Sequence, residues 1–103
     1  MSLPTDAKAR KATPLYSGVL KYFPDALIAV ARCSQIGNDQ HNPGQPLHWD
    51  RSKSGDHFDC ALRHLTDDLL GVEEDVDGVP HLAKAAWRIL AALQLACERK
   101  ETK

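Results

Sequence analysis

The sequence has no long apolar run and no excess of basic residues. No segment approaches the ~20 apolar residues that a membrane-spanning helix needs. Residues 1–13 are polar, which argues against a secretory signal. The formal net charge of -1 argues against general DNA or RNA binding, which is usually accompanied by an excess of Lys and Arg. We therefore expect a cytoplasmic protein that engages neither membrane, DNA nor RNA.

Cysteine is scarce, and its spacing excludes a zinc site built from cysteine pairs. The 3 cysteines, Cys33, Cys60 and Cys97, are widely separated. A zinc site built from cysteines needs closely spaced pairs, so we expect three buried free thiols in a reducing compartment. The glycine spacing and the Gly-Lys-Ser/Thr ending of a P-loop are absent as well.

The apolar pattern predicts an all-α fold, a small helical bundle of three main helices with one long functional loop. Helical periodicity and end signals place these helices near 24–37, 55–70 and 80–99. Residues 1–14 are predicted to form an N-terminal arm, disordered unless it packs on a partner subunit. Residues 15–100 are predicted to form a single helical domain.

The second and third predicted helices each have an apolar face. On the second helix the apolar residues form a stripe with the spacing of a core-facing surface. On the third helix the face is wider than two short helices can cover, so we expect a homo-oligomer to complete the bundle. The stripe on the second helix consists of Phe58, Ala61, Leu62, Leu65 and Leu69.

The segment 38–55 lacks helical periodicity and is too long to be a simple connector, which favours a functional loop. Arg51, Lys53 and Ser54 come just before a predicted helix, where free N–H groups and cationic side chains favour an anion. Trp49 has the flat surface on which a nucleotide base stacks. The alternative is a loop held by its own polar contacts, with Trp49 filling a gap in the core.

The start of the third helix is a second candidate region. His81, Lys84 and Arg88 share one side of this helix, and the last two are like charges one turn apart. Such a pair destabilises a helix unless an anion compensates it. The anion is either the acidic turn at 73–77 or the phosphate of a ligand.

Acidic residues suggest a metal site, and histidines are further candidates. Two acidic pairs at i, i+3 spacing would hold Mg²⁺ or Mn²⁺ if they faced each other. The alternatives are a solvated turn and an ion-pair ladder. His57 and His64 are one heptad apart, and we interpret them first as half-buried structural residues, with metal or acid–base roles as the alternative. The acidic pairs are Asp56 with Asp59, and Glu74 with Asp77.

Several motifs resemble a phage and prophage family, the dATP/dGTP diphosphohydrolase N-terminal domain. The resemblance covers 16–98, about four-fifths of the chain. It implies cleavage of purine deoxynucleoside triphosphates to monophosphate and pyrophosphate, in the manner of MazG-like helical enzymes. The motifs are Gly-Asn-Asp-Gln-His-Asn-Pro-Gly (37–44), Leu-His-Trp-Asp-Arg-Ser-Lys-Ser (47–54), Leu-Arg-His-Leu (62–65), and Asp-Val-Asp-Gly (75–78) followed by His81 and Ala-Ala-Trp (85–87).

The metal ligands depart from that larger class, which uses Glu-x-x-Glu followed by Glu-x-x-Asp. At the first position this chain offers Asp56-x-x-Asp59, whose side chains are one methylene shorter. The phosphate-binding part matches better than the metal part. We therefore predict a phage nucleotide-binding protein, in the cytoplasm of the infected bacterium, that sequesters a phosphorylated host nucleotide, cyclic or a defence signal, without cleaving it.

Two other functions stay open, and each has its own requirement. A purine dNTP diphosphohydrolase would need Mg²⁺ or Mn²⁺, whereas sequestration needs no cofactor. A phage interaction protein would bind no nucleotide at all. For the nucleotide we predict a ligand-binding set of Asn38, Gln40, His41, Asn42, His48, Trp49, Arg51, Lys53, Ser54, His64, His81, Lys84 and Arg88.

Overall fold

The fold was taken from a computed structural model that describes residues 2–52 and 55–101. Within these ranges the regular structure is helical, apart from an isolated β-bridge between Glu74 and Pro80, which confirms the all-α class. A short π-helical turn covers Tyr16–Leu20. The α-helices are α1 (Ala7–Lys11), α2 (Pro24–His41), α3 (His57–Leu69) and α4 (His81–Glu101). None of the described helices is long and apolar enough to span a membrane.

The predicted arm contains α1, a short helix with no buried residues. Asp6 precedes the helix, and its carboxylate accepts a hydrogen bond from the backbone N–H of Ala9. An aspartate in this position satisfies one of the N–H groups that a helix leaves free at its start. The Ala, Lys and Arg residues that follow have high helix propensity.

Helix α2 begins at Pro24 as predicted but ends at His41, beyond the expected stop at Gly37–Asn38. The helix continues because the Asn38 side chain is buried and bonded to the following loop, which outweighs the low helix propensity of Gly37. The stop comes at Asn42, since a residue before proline disfavours helical geometry. Several predicted loop residues therefore lie on a helix.

Helices α3 and α4 pack against each other in antiparallel directions, and α2 packs on α4. His57 at the start of α3 lies against Arg88, and His64 further along α3 lies against His81 at the start of α4. The predicted cap Ser54 lies outside the described residues, and Asp56 occupies the position before α3.

The connection between α3 and α4 is a compact acidic turn. Gly78 has φ +80°, a conformation that side-chain-bearing residues rarely adopt, and its N–H donates to the carbonyl of Asp75. The N–H of Asp75 donates to the carbonyl of Val79, and that of His81 to Glu73. These bonds hold the acidic side chains of the turn beside the first turns of α4.

The core is small because the helices meet through short side chains. The buried apolar residues are Cys60, Ala61, Val79, Ala83, Ala85 and Ala91. Short side chains let α3 and α4 approach closely, but they bury little apolar surface. Cys60 is the buried thiol, whereas Cys33 and Cys97 are half-buried, and all three are free. The expectation of free thiols is confirmed, and the expectation that all are buried is not.

The apolar stripe predicted to face the core on α3 instead faces away from α4. Phe58 is 69% exposed and Leu69 83% exposed, and of the predicted stripe Ala61 is the buried member. The face that meets α4 is adjacent to the stripe and carries His57, Cys60 and His64. Periodicity identifies an apolar face but does not determine which face meets a neighbouring helix.

The single chain is extended and leaves much surface uncovered. Its accessible surface is 8020 Å², against about 5800 Å² for a compact monomer of 11.4 kDa. Its radius of gyration is 15.8 Å, whereas about 13 Å is typical of this length. On α4 the exposed apolar residues are Leu82, Ile89, Leu90 and Leu93.

Candidate functional site

The loop after α2 is held by the side chain of Asn38. Its Oδ1 accepts from the backbone N–H of His48 at 3.2 Å and from Asn42 Nδ2 at 3.3 Å. Its Nδ2 donates to the carbonyl of Gln45 at 3.0 Å. One buried amide therefore fixes both ends of the segment 42–48 and places residues 49–52 beside α4.

Trp49 and Arg51 both contact α4. Trp49 meets Trp87 edge to face, with ring centroids 5.8 Å apart. The Arg51 guanidinium lies over the Trp49 ring, 4.4 Å from its centroid, and forms an ion pair with Glu98. The hydrogen bond from Arg51 lowers the pKa of Glu98. The loop is thus docked on α4 by an aromatic contact and an ion pair.

His57 joins this group from α3. Its ring lies 6.4 Å from that of Trp87, and its Nδ1 is 3.3 Å from Nη1 of Arg88. We name Trp49, Arg51, His57, Trp87 and Arg88 the aromatic–cation cluster. Our predicted ligand-binding set did not include His57 or Trp87, although Trp87 stands beside Arg88 in a motif of the resemblance.

Two buried polar atoms of this cluster have no hydrogen-bond partner among the described residues. They are Nε1 of Trp49 and Nε2 of His57. Leaving a buried donor or acceptor unpaired costs about 1–3 kcal/mol, and native structures leave few. Because an arginine only donates, Nδ1 of His57 accepts from Arg88, and Nε2 then carries the proton. Both unpaired atoms are therefore donors.

A second group of side chains lies further along the same helix pair. We name His64, Asp75 and His81 the histidine–aspartate cluster, because one potential ligand atom from each lies within 4.8 Å of the others. The two Nδ1 atoms of the histidines are 2.8 Å apart, and His81 is buried. Burial lowers the pKa of His64, and the neighbouring His81 and Lys84 lower it further.

Lys84 is paired with the acidic turn. Its Nζ donates to Asp75 at 2.7 Å and to Asp77 at 2.8 Å, and Gln40 Nε2 donates to Asp77 at 3.1 Å. The Lys84 hydrogen bond lowers the pKa of Asp77 to about 2. Burial alone would lower the pKa of Lys84, but its bonds to the two aspartates outweigh this and raise it. The acidic turn therefore provides the anion that compensates Lys84.

The four carboxylates of the predicted Mg²⁺ or Mn²⁺ site are not brought together. Asp56 accepts from Cys60 Sγ, which lowers its pKa, and lies 3.9 Å from Arg88. Asp77 instead forms an ion pair with Lys84, and the backbone of Glu74 forms the β-bridge to Pro80. Asp59 lies on a shallow groove of α3. Antiparallel packing places the start of α3 and the acidic turn against different turns of α4.

A Glu-x-x-Glu lies at the end of α4, outside the predicted metal site. It consists of Glu98 and Glu101. Glu98 accepts from both Arg51 and Gln94. Its carboxylate is therefore occupied in docking the loop.

The remaining predicted residues are dispersed. His41 and His48 are exposed, and the side chain of Asn42 bonds to Asn38. Lys53 and Ser54 lie outside the described residues, so their predicted contact with an anion is not placed. The structure thus brings together the predicted residues Trp49, Arg51 and Arg88 in one cluster and His64 and His81 in the other.

The comparisons with known proteins point to one family. The family model described as dATP/dGTP diphosphohydrolase, N-terminal, matches residues 4–103. Searches of curated proteins and of solved structures found no match. The match covers nearly the whole chain and confirms the resemblance based on the sequence motifs. The chain therefore belongs to the dATP/dGTP diphosphohydrolase N-terminal family.

Proposed function

We propose that this chain binds a phosphorylated purine nucleotide at the aromatic–cation cluster and holds it without cleaving it. The observation that carries the proposal is the pair of buried N–H groups, on Trp49 and His57, that have no partner in the described part of the chain. Two unpaired donors in a cluster that also holds two guanidinium groups are suited to the acceptor oxygens of a ligand. Phosphate oxygens and base carbonyls are such acceptors.

The aromatic residues of the cluster suit a base. Trp49 already holds a planar guanidinium against its ring, and stacking of a base on such a surface contributes about 1–3 kcal/mol. A base that entered between Arg51 and Trp49, or beside Trp87, would keep the stacked arrangement. The family match supports a purine deoxynucleotide in particular.

Binding without cleavage is supported by how the carboxylates are used. Asp56, Asp77 and Glu98 accept hydrogen bonds from other side chains of the chain. These carboxylates are engaged with different partners in different parts of the fold, so they are not arranged around a common Mg²⁺. The proposed setting is the cytoplasm of an infected bacterium, where such a protein would sequester a host nucleotide.

The test is to incubate the full chain with dATP, dGTP and a panel of ribonucleotides and cyclic nucleotides, with and without Mn²⁺. Mass analysis of the bound and free fractions then separates storage from cleavage. We expect intact nucleotide in the bound fraction without metal. Absence of any bound nucleotide would overturn the proposal, and conversion to monophosphate and pyrophosphate would favour the second candidate.

The second candidate is a Mg²⁺- or Mn²⁺-dependent dNTP diphosphohydrolase, and the family match favours it. It requires the acidic residues to rearrange around metal and triphosphate. Pyrophosphate release would then be lost in Asp59→Asn and in Asp77→Asn, while binding without metal would persist. Equal release from the wild type and both variants would exclude these residues as metal ligands.

We further propose that the chain works as a homo-oligomer. Large apolar side chains on the outer faces of α3 and α4 are exposed in the single chain, including Phe58, Leu69 and Leu93. The surface in excess of a compact monomer is of the size that subunit interfaces bury. A second copy presents the same faces, and isologous contact between them would cover both.

A further inference from the structure

The histidine–aspartate cluster draws its members from three separate parts of the fold. His64 comes from α3, Asp75 from the acidic turn and His81 from the first turn of α4. The two Nδ1 atoms face each other at 2.8 Å, and His81 is only 4% exposed. No part of the proposed nucleotide contact uses this cluster.

An outer carboxylate stands behind one of the histidines. Nε2 of His81 lies 3.8 Å from Asp67 Oδ2, on the side of the ring away from the cluster. Histidines that bind metals generally direct their second nitrogen at a carboxylate or carbonyl, which fixes the tautomer and orients the ring. Asp67 favours the tautomer with the proton on Nε2, which leaves Nδ1 of His81 unprotonated and facing Nδ1 of His64.

If Asp75 gave up its hydrogen bond from Lys84, the lysine would still have a partner. Its Oδ2 accepts from Lys84, and its Oδ1 accepts from the N–H of Val76. Lys84 has a second acceptor, Asp77, at 2.8 Å. An ion at the cluster could therefore share the Asp75 carboxylate while Lys84 keeps its bond to Asp77.

We propose that His64, Asp75 and His81 form a binding site for a divalent transition-metal ion of the Zn²⁺ type. Two imidazole nitrogens and one carboxylate oxygen suit such an ion and leave its fourth position to water. Mg²⁺ prefers oxygen ligands alone, so it should not compete. The ion replaces the bond between the imidazoles, and the proton on His64 Nδ1 moves to Nε2 through solvent.

The site differs from the four-carboxylate site predicted from the sequence, and it does not depend on the proposed nucleotide function. Binding would join α3, the acidic turn and α4 through one ion. Its test therefore uses the metal alone.

The experiment titrates the chelator-treated full chain with Co²⁺ and follows the visible absorption bands of a tetrahedral site, then repeats the titration with Zn²⁺ by calorimetry. We expect one ion per chain, binding that persists in excess Mg²⁺, and displacement of Co²⁺ by Zn²⁺. Asp67→Asn removes only the outer carboxylate and should weaken binding by about 10–100-fold. His64→Ala and Asp75→Asn remove ligands and should weaken it more.

His41→Ala is the matched control, since His41 is an exposed histidine at the end of α2. It should bind Co²⁺ as the wild type does. Helical circular dichroism of each variant verifies that it is folded, and Asp67→Asn keeps the test informative if His64→Ala does not fold. No bands with the wild type, or an affinity unchanged in both His64→Ala and Asp67→Asn, would overturn the proposal.

Discussion

At the scale of single residues, the candidate nucleotide site combines three predicted side chains with two that the predicted set omitted, His57 and Trp87. Trp49, Arg51 and Arg88 were predicted because an aromatic ring and cations near helix starts favour an anionic, stacking ligand. The sequence favours a structural role for His57, because its contact with Arg88 joins residues 31 apart and is not visible in local spacing. Such a contact depends on how two helices align, which local spacing does not specify.

Arg88→Ala should weaken nucleotide binding ten- to a hundredfold, because a lost hydrogen bond to a charged group is worth about 1.5–3 kcal/mol. Arg51→Ala should do the same and also release the loop from Glu98. Calorimetric titration with dATP measures both effects. Arg32→Ala removes an exposed arginine of α2 as a control. Equal affinity in the wild type and all three variants would show that the aromatic–cation cluster is not the nucleotide site.

The stabilising contribution of Asp77 to the fold should be lost in acid. Its pKa of about 2 in the folded protein lies below the ordinary 3.8. A carboxyl group with a lowered folded pKa stabilises the fold above its unfolded pKa, and this contribution is lost as the pH falls toward the folded value. Urea unfolding with chelator present should therefore show Asp77→Asn less stable than wild type at pH 7, with the difference shrinking between pH 4 and pH 2.

Thr66→Ala is the control for that experiment, since Thr66 is an exposed, uncharged residue of α3. Its stability difference from wild type should change little over the same range. A difference for Asp77→Asn that stays constant down to pH 2 would contradict the assigned role of the Lys84 ion pair.

At the scale of secondary-structure elements, periodicity gave the number and order of the main helices but not their ends or contact faces. Helix α2 passes through Gly37 because Asn38 is stabilised by contacts with the following loop. The predicted core stripe of α3 is exposed because short and polar residues beside it form the contact with α4. Both errors have one origin, namely that tertiary contacts outweigh local propensity.

Asn38→Ala should destabilise the fold and loosen the loop together. The change leaves the N–H of His48 and the carbonyl of Gln45 without their partner, and each such loss costs about 1–3 kcal/mol where the group is buried. Denaturant unfolding measures the stability, and limited proteolysis within 42–48 measures the loop. Gln35→Ala on the same helix removes one exposed bond and should change neither. Unaltered proteolysis of Asn38→Ala would contradict this account.

At the scale of the whole molecule, the uncovered apolar faces predict an assembly. Size-exclusion chromatography with light scattering should give a mass that is a multiple of 11.4 kDa. Leu69→Lys should reduce that mass, since a charge at a buried interface is costly whereas the residue is 83% exposed in the single chain. Gln35→Lys, on the exposed side of α2, should leave it unchanged. An 11.4 kDa species at every concentration would contradict the homo-oligomer.

The small buried surface between α3 and α4 has a consequence for how these helices find their alignment. No large side chain is fully buried there, so interdigitating bulky groups do not fix the position of one helix along the other. That position is fixed instead by the contacts of His57 with Arg88 and of His64 with His81. A slip by one turn, about 5.4 Å, would separate both pairs at once while costing little apolar contact. Polar recognition therefore sets the register of this helix pair.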